Sequence, residues 1–346
     1  MIRKRIWSLF LVIIFLQACR KDIPPLTENP ILTGSEDGVY ITNEGNFQFG
    51  NAAVSFYEEG LADAVPDLFE PTNNRPLGDV CQSMYFFNGL AYIVVNNSNK
   101  IEVVNANTFV SVATITGFNS PRYFLPVSNS KAYVTDLYDD AISIVDLSSN
   151  QRTGEIACAG WTEELVLAYG KAFVTNRERN QLYIINTMND QLTDSIEIGA
   201  GANSIIEDRN GKLWVLCSGS NSNNINATLH RINPIENTVE ISFTFNFAND
   251  LPRRLDINGT NDTLYFLNKG VVQMPINANA LPSTTLIPTD GRNFYGLGIH
   301  PQTKEILVAD AIDYVQRGKI YVYQANGTLV KTYLAGIIPG DFYFKN

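Results

Sequence analysis

Lys131-Ala132-Tyr133-Val134-Thr135-Asp136 and, after a four-residue gap, Ala141-Ile142-Ser143-Ile144-Val145-Asp146 are the two segments whose reading decides the fold. Both are short and rich in β-branched and aromatic residues, and turn residues bound them, so each reads as a β-strand. The unit recurs as Gly38-Val39-Tyr40-Ile41, Leu90-Ala91-Tyr92-Ile93, Lys171-Ala172-Phe173-Val174, Lys212-Leu213-Trp214-Val215, Thr263-Leu264-Tyr265-Phe266 and Glu305-Ile306-Leu307-Val308. From Tyr40 through Tyr92, Tyr133, Phe173, Trp214 and Tyr265 to Leu307 the intervals are 52, 41, 40, 41, 51 and 42 residues. Short strands recurring with a period near forty predict the blades of a β-propeller, because a single blade leaves both faces uncovered and is stable only between neighbours. Seven copies predict seven blades.

Each copy divides into four strands. In the third they fall near Arg122–Val127, Ala132–Asp136, Ala141–Asp146 and Thr153–Ala157, and the next inner strand near Leu165–Ala168. Pro121, Pro252 and Pro339 stand just ahead of inner strands, where a missing amide is tolerated. The first copy opens at Val39 on what should be a second strand, so its blade lacks an innermost strand. Gly336-Ile337-Ile338-Pro339-Gly340-Asp341-Phe342-Tyr343-Phe344 repeats the loop-proline-strand pattern with nothing after it. The fold predicted is all-β: a seven-bladed propeller of four-stranded antiparallel blades, closed by this C-terminal strand pairing with the N-terminal blade.

Ahead of the repeats, Arg3-Lys4-Arg5 precede an apolar run from Leu9 to Leu16, too short to span a bilayer comfortably and shaped like a secretory signal peptide. Residues 1–18 are read as that signal. Leu16-Gln17-Ala18-Cys19 resembles a bacterial lipobox, which makes Cys19 the lipidated residue and anchors the chain to a membrane through its acyl chains. Residues 19–37 read as the lipidated terminus and a flexible tether, and 38–346 as the propeller. Only 17% of the chain is charged and 45% is hydrophobic, enough to cover many sheet faces. The net charge of −10 becomes −13 once Arg3, Lys4 and Arg5 leave with the signal, a balance that argues against nucleic-acid partners. Cys81, Cys158 and Cys217 lack metal or redox spacing and read as small buried residues. With only His230 and His300, a multi-histidine metal centre is excluded.

The units Lys131–Asp136 with Ile142–Asp146, and Lys171–Asn176 with Leu182–Asn186, resemble the repeats of YncE-like seven-bladed propellers over roughly residues 38–344. With the lipobox and Asn43-Glu44-Gly45-Asn46-Phe47 followed by Gly50-Asn51-Ala52, the chain resembles the propeller lipoproteins of Bacteroidota. Some of these sit on the cell surface and capture cobalamin above a TonB-dependent transporter. The resemblance implies outer-membrane, lipid-anchored placement at the cell surface and a corrinoid ligand.

Propellers bind at the funnel formed by the loops leading into the inner strands and the loops joining second to third strands. Residues expected there are Phe47, Phe49, Arg122, Tyr138, Trp161, Arg177, Arg253, Arg292, Tyr295 and Tyr314, with Arg122, Arg253 and Arg292 at equivalent positions around one opening. Aromatic, amide and guanidinium groups without a nucleophile held by a base suit a large, weakly charged ligand rich in amides or hydroxyls, a corrinoid or a glycan. The expectation is non-catalytic ligand capture with no cofactor and no catalytic residue. A glycan- or protein-binding adhesin or scaffold stands beside it. So does a lactonase-like hydrolase holding Ca²⁺ through Glu44, Asn176, Asn203 and Asp310.

Overall fold

The computed structural model describes residues 38–61, 63–246 and 249–345. The segments read as signal peptide and tether, with Cys19, lie outside them. Seven antiparallel sheets follow in chain order, six of them four-stranded. The third blade shows the plan: Pro121–Pro126, Lys131–Asp136, Ala141–Asp146 and Gln151–Ala157 run from axis to rim, close to the boundaries expected. The other inner strands are Cys81–Phe87, Thr162–Ala168, Ala202–Glu207, Arg253–Ile257, Phe294–Ile299 and, for the first blade, Pro339–Phe344.

Ala132, Tyr133 and Val134 are all fully buried, although successive side chains on a strand point to opposite faces. Both faces of the sheet are covered, so alternation disappears from the second strand and survives at the wet rim, as in Gln151–Ala157. The aromatic of each repeat sits in a gap between blades: Tyr92 stacks on Phe124 of the next blade at 4.3 Å. Each such burial stabilises by about 2–3 kcal/mol. Among the described residues a hydrophobic cluster fills every gap around the ring, including that between seventh and first, where Leu307, Ala309, Ile320 and Tyr333 meet Val39, Ile41 and Phe342.

Closure takes the predicted route. Val39, Tyr40 and Ile41 pair antiparallel with Phe344, Tyr343 and Phe342. Asp341 donates its amide to Thr42 Oγ1 at 3.1 Å, Gly336 donates to Asn43 Oδ1 at 2.8 Å, and Glu44 donates to the Ile338 carbonyl at 2.9 Å. This blade has three strands, Pro339–Phe344, Val39–Asn43 and Ala53–Tyr57, and a Phe56–Val65 bridge stands at its outer edge. The seventh blade approaches so closely that a Cβ on Gly296 would lie 1.7 Å from the Gly340 carbonyl oxygen, and one on Gly298 would lie 2.6 Å from Phe342 Cβ. Cys81, Cys158 and Cys217 are buried and unbridged.

Candidate functional site

Every inner strand carries one extra residue near its start. Pairing slips between Cys81 and Ser83, Pro121 and Phe124, Thr162 and Leu165, Ala202 and Ser204, Arg253 and Asp256, Phe294 and Gly296, and opposite Ile41 and Asn43 on the closing strand. Such a bulge bends the strand and re-aims its side chains. The residue after the first paired position forms a ring about the axis: Gln82, Arg122, Glu163, Asn203, Arg254 and Tyr295, with Gly340 in the seventh place. The six side chains line a funnel of about 740 Å³, within the range of small-molecule sites. Glu44, Phe47, Asn96, Arg177, Asn221, Leu251 and Arg253 complete its wall, so all seven blades contribute.

Two ion-pair networks make the floor. Arg122 grips Glu163 with two parallel bonds, Nε to Oε2 at 3.0 Å and Nη2 to Oε1 at 2.9 Å, while Nη1 donates to Gln82 Oε1. This bidentate geometry is the strong form of the contact, and Glu163 is buried beneath it. Trp161 supports the network from outside the funnel, with the Arg122 and Arg177 guanidinium carbons 5.8 and 4.7 Å from its ring centre. In the second network Arg254 donates from Nη1 to Asp341 Oδ1 at 2.8 Å and from Nε to the Tyr295 carbonyl at 3.1 Å, and its guanidinium lies 5.3 Å from the Tyr295 ring. The Tyr295 hydroxyl donates to Glu44 Oε1 at 2.7 Å. Burial raises the Glu44 carboxyl pKa, against the opposing pull of Arg254 and that hydroxyl.

Beneath the funnel a second cavity of about 370 Å³ continues along the axis, and Tyr123, Glu164 and Arg254 line both. These three form the waist. Glu164 accepts the Ile205 amide at 3.0 Å, and Asp256 accepts those of Ile257 and Ile299 at 2.7 Å each. Burial pushes the Glu164 carboxyl up to about 8 and that of Asp256 to about 7.

Of the residues expected from sequence, Phe47, Arg122, Arg177, Arg253 and Tyr295 line the funnel. Trp161 stands behind Arg122 and Arg177 and packs on them. Tyr314 packs edge-on against Tyr295 at 5.7 Å, and Phe49 and Tyr138 are exposed on loops outside the lining. Arg292 is a correction. Its guanidinium lies 5.0 Å from the Phe294 ring and 4.8 Å from the Tyr321 ring, and Nη1 donates to the Tyr323 hydroxyl at 2.6 Å. It is spent between the sixth and seventh blades rather than at the opening. The position equivalent to Arg122 is Arg254 in the sixth blade and Tyr295 in the seventh, because each follows the first paired residue of its inner strand as Arg122 follows Pro121. Gln82, Glu164, Asp256 and Asp341 escaped the sequence reading. Aligning the copies on the inner strand, not on the second-strand aromatic, exposes all of them.

Asn176 and Asp310, imagined as Ca²⁺ ligands, end their second strands and accept loop amides: Asn176 those of Glu178 and Arg179, Asp310 those of Asn293 and Ile312. They cap turns. His230 is tied to Ser242 and Thr228, and His300 packs beside Phe344, so neither borders the funnel.

The architecture and its axial funnel define a seven-bladed β-propeller with an open axial cavity. Over residues 37–344 the chain matches the family described as Domain of unknown function (DUF5074), and it belongs to that family. No curated protein matches it. Among solved structures it is similar to a "Quinonprotein alcohol dehydrogenase-like protein" from Bacteroides thetaiotaomicron, at 16% identity and a TM-score of 0.70, covering 90% of this chain and 79% of that one. A functionally unknown protein from Desulfotomaculum acetoxidans shares 14% identity at a TM-score of 0.64, covering 89% and 98%. Hydrazine synthase from Kuenenia stuttgartiensis shares 15% at 0.59, covering 73% and 85%. At these identities the likeness concerns fold.

Proposed function

We propose that this chain is a non-catalytic ligand-binding propeller lipoprotein of the cell envelope, anchored through Cys19 to the outer membrane with the propeller at the cell surface. The observation that carries the binding reading is the funnel itself: about 740 Å³, built from all seven blades and lined by aromatic, amide and guanidinium groups. Its hydroxyl groups are occupied locally, Ser204 donating to Asn203 Oδ1 and Ser218 to the Gly201 carbonyl, so neither serine is paired with a base as a nucleophile would be.

The specific ligand proposed is a corrinoid, passed on to a TonB-dependent transporter. Its peripheral amides match the donors and acceptors of Gln82, Asn96, Asn203 and Asn221, and its flat faces match Phe47 and Tyr295. The test is to mix the purified chain with cobalamin or cobinamide at micromolar concentration, desalt, and record visible absorbance in the protein fraction. Retained colour, lost in Phe47→Ala, supports the reading. A colourless protein fraction removes the corrinoid and leaves glycan and protein ligands to be tried in the same funnel.

A further inference from the structure

The funnel's four arginines differ in what they already hold. Arg122 is bound to Glu163 and Gln82, and Arg254 to Asp341 and the Tyr295 carbonyl, each with a carboxylate within 3 Å. Arg177 reaches its carboxylate only at 3.7 Å, and that oxygen is held by Arg122 at 2.9 Å. Arg253 is exposed and donates one nitrogen to the Phe294 carbonyl, with no carboxylate pairing to it among the described residues. Its Nε and Nη1 make no hydrogen bond among the described residues.

These two under-used cations stand on the fourth and sixth blades and flank the fifth, which supplies Asn203, Ser218 and Asn221 between them. Across the ring from the fifth blade lie the first and second, where Phe47 offers an exposed ring. The wall therefore has a cationic, donor-rich arc facing an aromatic one. Arg122 and Arg254 are each matched by a carboxylate at 2.9 and 2.8 Å, whereas Arg177 and Arg253 have none so close, in a chain whose net charge is −10. Guanidinium groups without a close carboxylate favour an anion at that arc of the wall.

We infer that the funnel selects ligands carrying a carboxylate, whose anionic end is taken by Arg177 and Arg253 and whose apolar body lies against Phe47. This deepens the general ligand-binding reading and rests on it, independently of the corrinoid, whose peripheral groups are neutral amides. A guanidinium with unpaired donors binds a carboxylate through charge-assisted hydrogen bonds, which a neutral hydroxyl of the same shape forms only weakly.

The test uses a matched pair of fluorescent probes, 1-pyrenebutyrate and 1-pyrenebutanol, titrated against the purified chain by anisotropy at neutral pH and low salt. The carboxylate is expected to bind about tenfold tighter than the alcohol. In Arg177→Gln/Arg253→Gln the two probes should fall within about twofold of each other, whereas Arg209→Gln, an exposed arginine paired with Asp262 outside the funnel, keeps the preference. Should the double variant fail to fold, Arg253→Gln alone, at an exposed side chain, must still reduce the preference. Equal binding of both probes, weakened together by Phe47→Ala, would overturn the carboxylate selectivity and leave the ligand-binding reading standing. A preference that persists in the arginine variants, or no binding of either probe, also overturns it. The corrinoid experiment reports separately on the funnel's occupancy.

Discussion

Arg254 Nη1 lies 2.8 Å from Asp341 Oδ1, joining the sixth inner strand to the strand that closes the ring. The contact skips the seventh blade, and both side chains are mostly sheltered from solvent. It also stands at the waist between the two axial cavities. One ion pair therefore serves closure and the floor of the binding funnel together.

Removing one partner of a sheltered pair leaves the other charge uncompensated, which costs more than the pair contributes as a whole. Asp341→Asn is expected to destabilise by about 3 kcal/mol in urea unfolding, and the double change Asp341→Leu/Arg254→Met to recover much of that loss. A single-site cost no larger than that of the double variant would show that the pair is incidental.

Glu163 neutralises Arg122 directly and lies near Arg177, so Glu163→Gln should leave two guanidinium groups facing each other over the Trp161 ring. The expected cost is again about 3 kcal/mol, and the effect should extend to the ligand. With a carboxylate probe the variant binds more tightly even though the fold is weaker, a divergence that anisotropy and thermal melting would reveal.

Glu164 fixes a pH dependence. Its carboxyl moves from an ordinary 4.5 up to about 8 in the folded protein because burial disfavours the charge. Between those values the unfolded chain has released the proton while the folded chain retains it, so this group's contribution to stability falls as pH rises from about 4.5 to about 8 and is flat beyond. Glu164→Gln keeps an oxygen for the Ile205 amide and has no charge to bury. Its melting temperature relative to wild type should therefore rise from pH 5 to pH 8 and then level off. A difference independent of pH would contradict the burial of this carboxyl.

Two glycines give a paired prediction about packing. Gly296→Ala drives a methyl into the Gly340 carbonyl and must displace the closing strand, costing about 1–3 kcal/mol or more. Gly154→Ala on the rim of the third blade meets only Ile144 at an ordinary 3.5 Å, and should be neutral or stabilising by up to about 1 kcal/mol. Chemical denaturation of both variants compares them directly.

The blades were legible because each needs a strand buried on both faces, and residues such as Tyr92, Tyr133, Phe173 and Trp214 mark that strand at a steady period. Closure was legible because Pro339–Phe344 copies an inner strand that Val39 lacks. The site was only half legible. Arg292 was expected at the opening as an entry-loop residue equivalent to Arg122, but it precedes its inner strand by two residues, and the ring position falls one residue past the first paired position, on Tyr295 there and on Arg254 in the sixth blade. Val80 and Ile338, both lining the funnel, take φ values of 62° and 53°. Propensity assigns such backbone to glycine, and only the packed ring holds β-branched residues there.

The measurement that bears most directly on the account is the unfolding of a chain ending at Ile338. If Pro339–Asn346 supplies the innermost strand of the first blade, the truncated chain should lose its cooperative melt and aggregate through the unpaired edge of Val39–Asn43, and a synthetic peptide of the missing residues should restore the transition. A truncated chain melting as the full-length protein does, without the peptide, would contradict the closed ring and the funnel built on it.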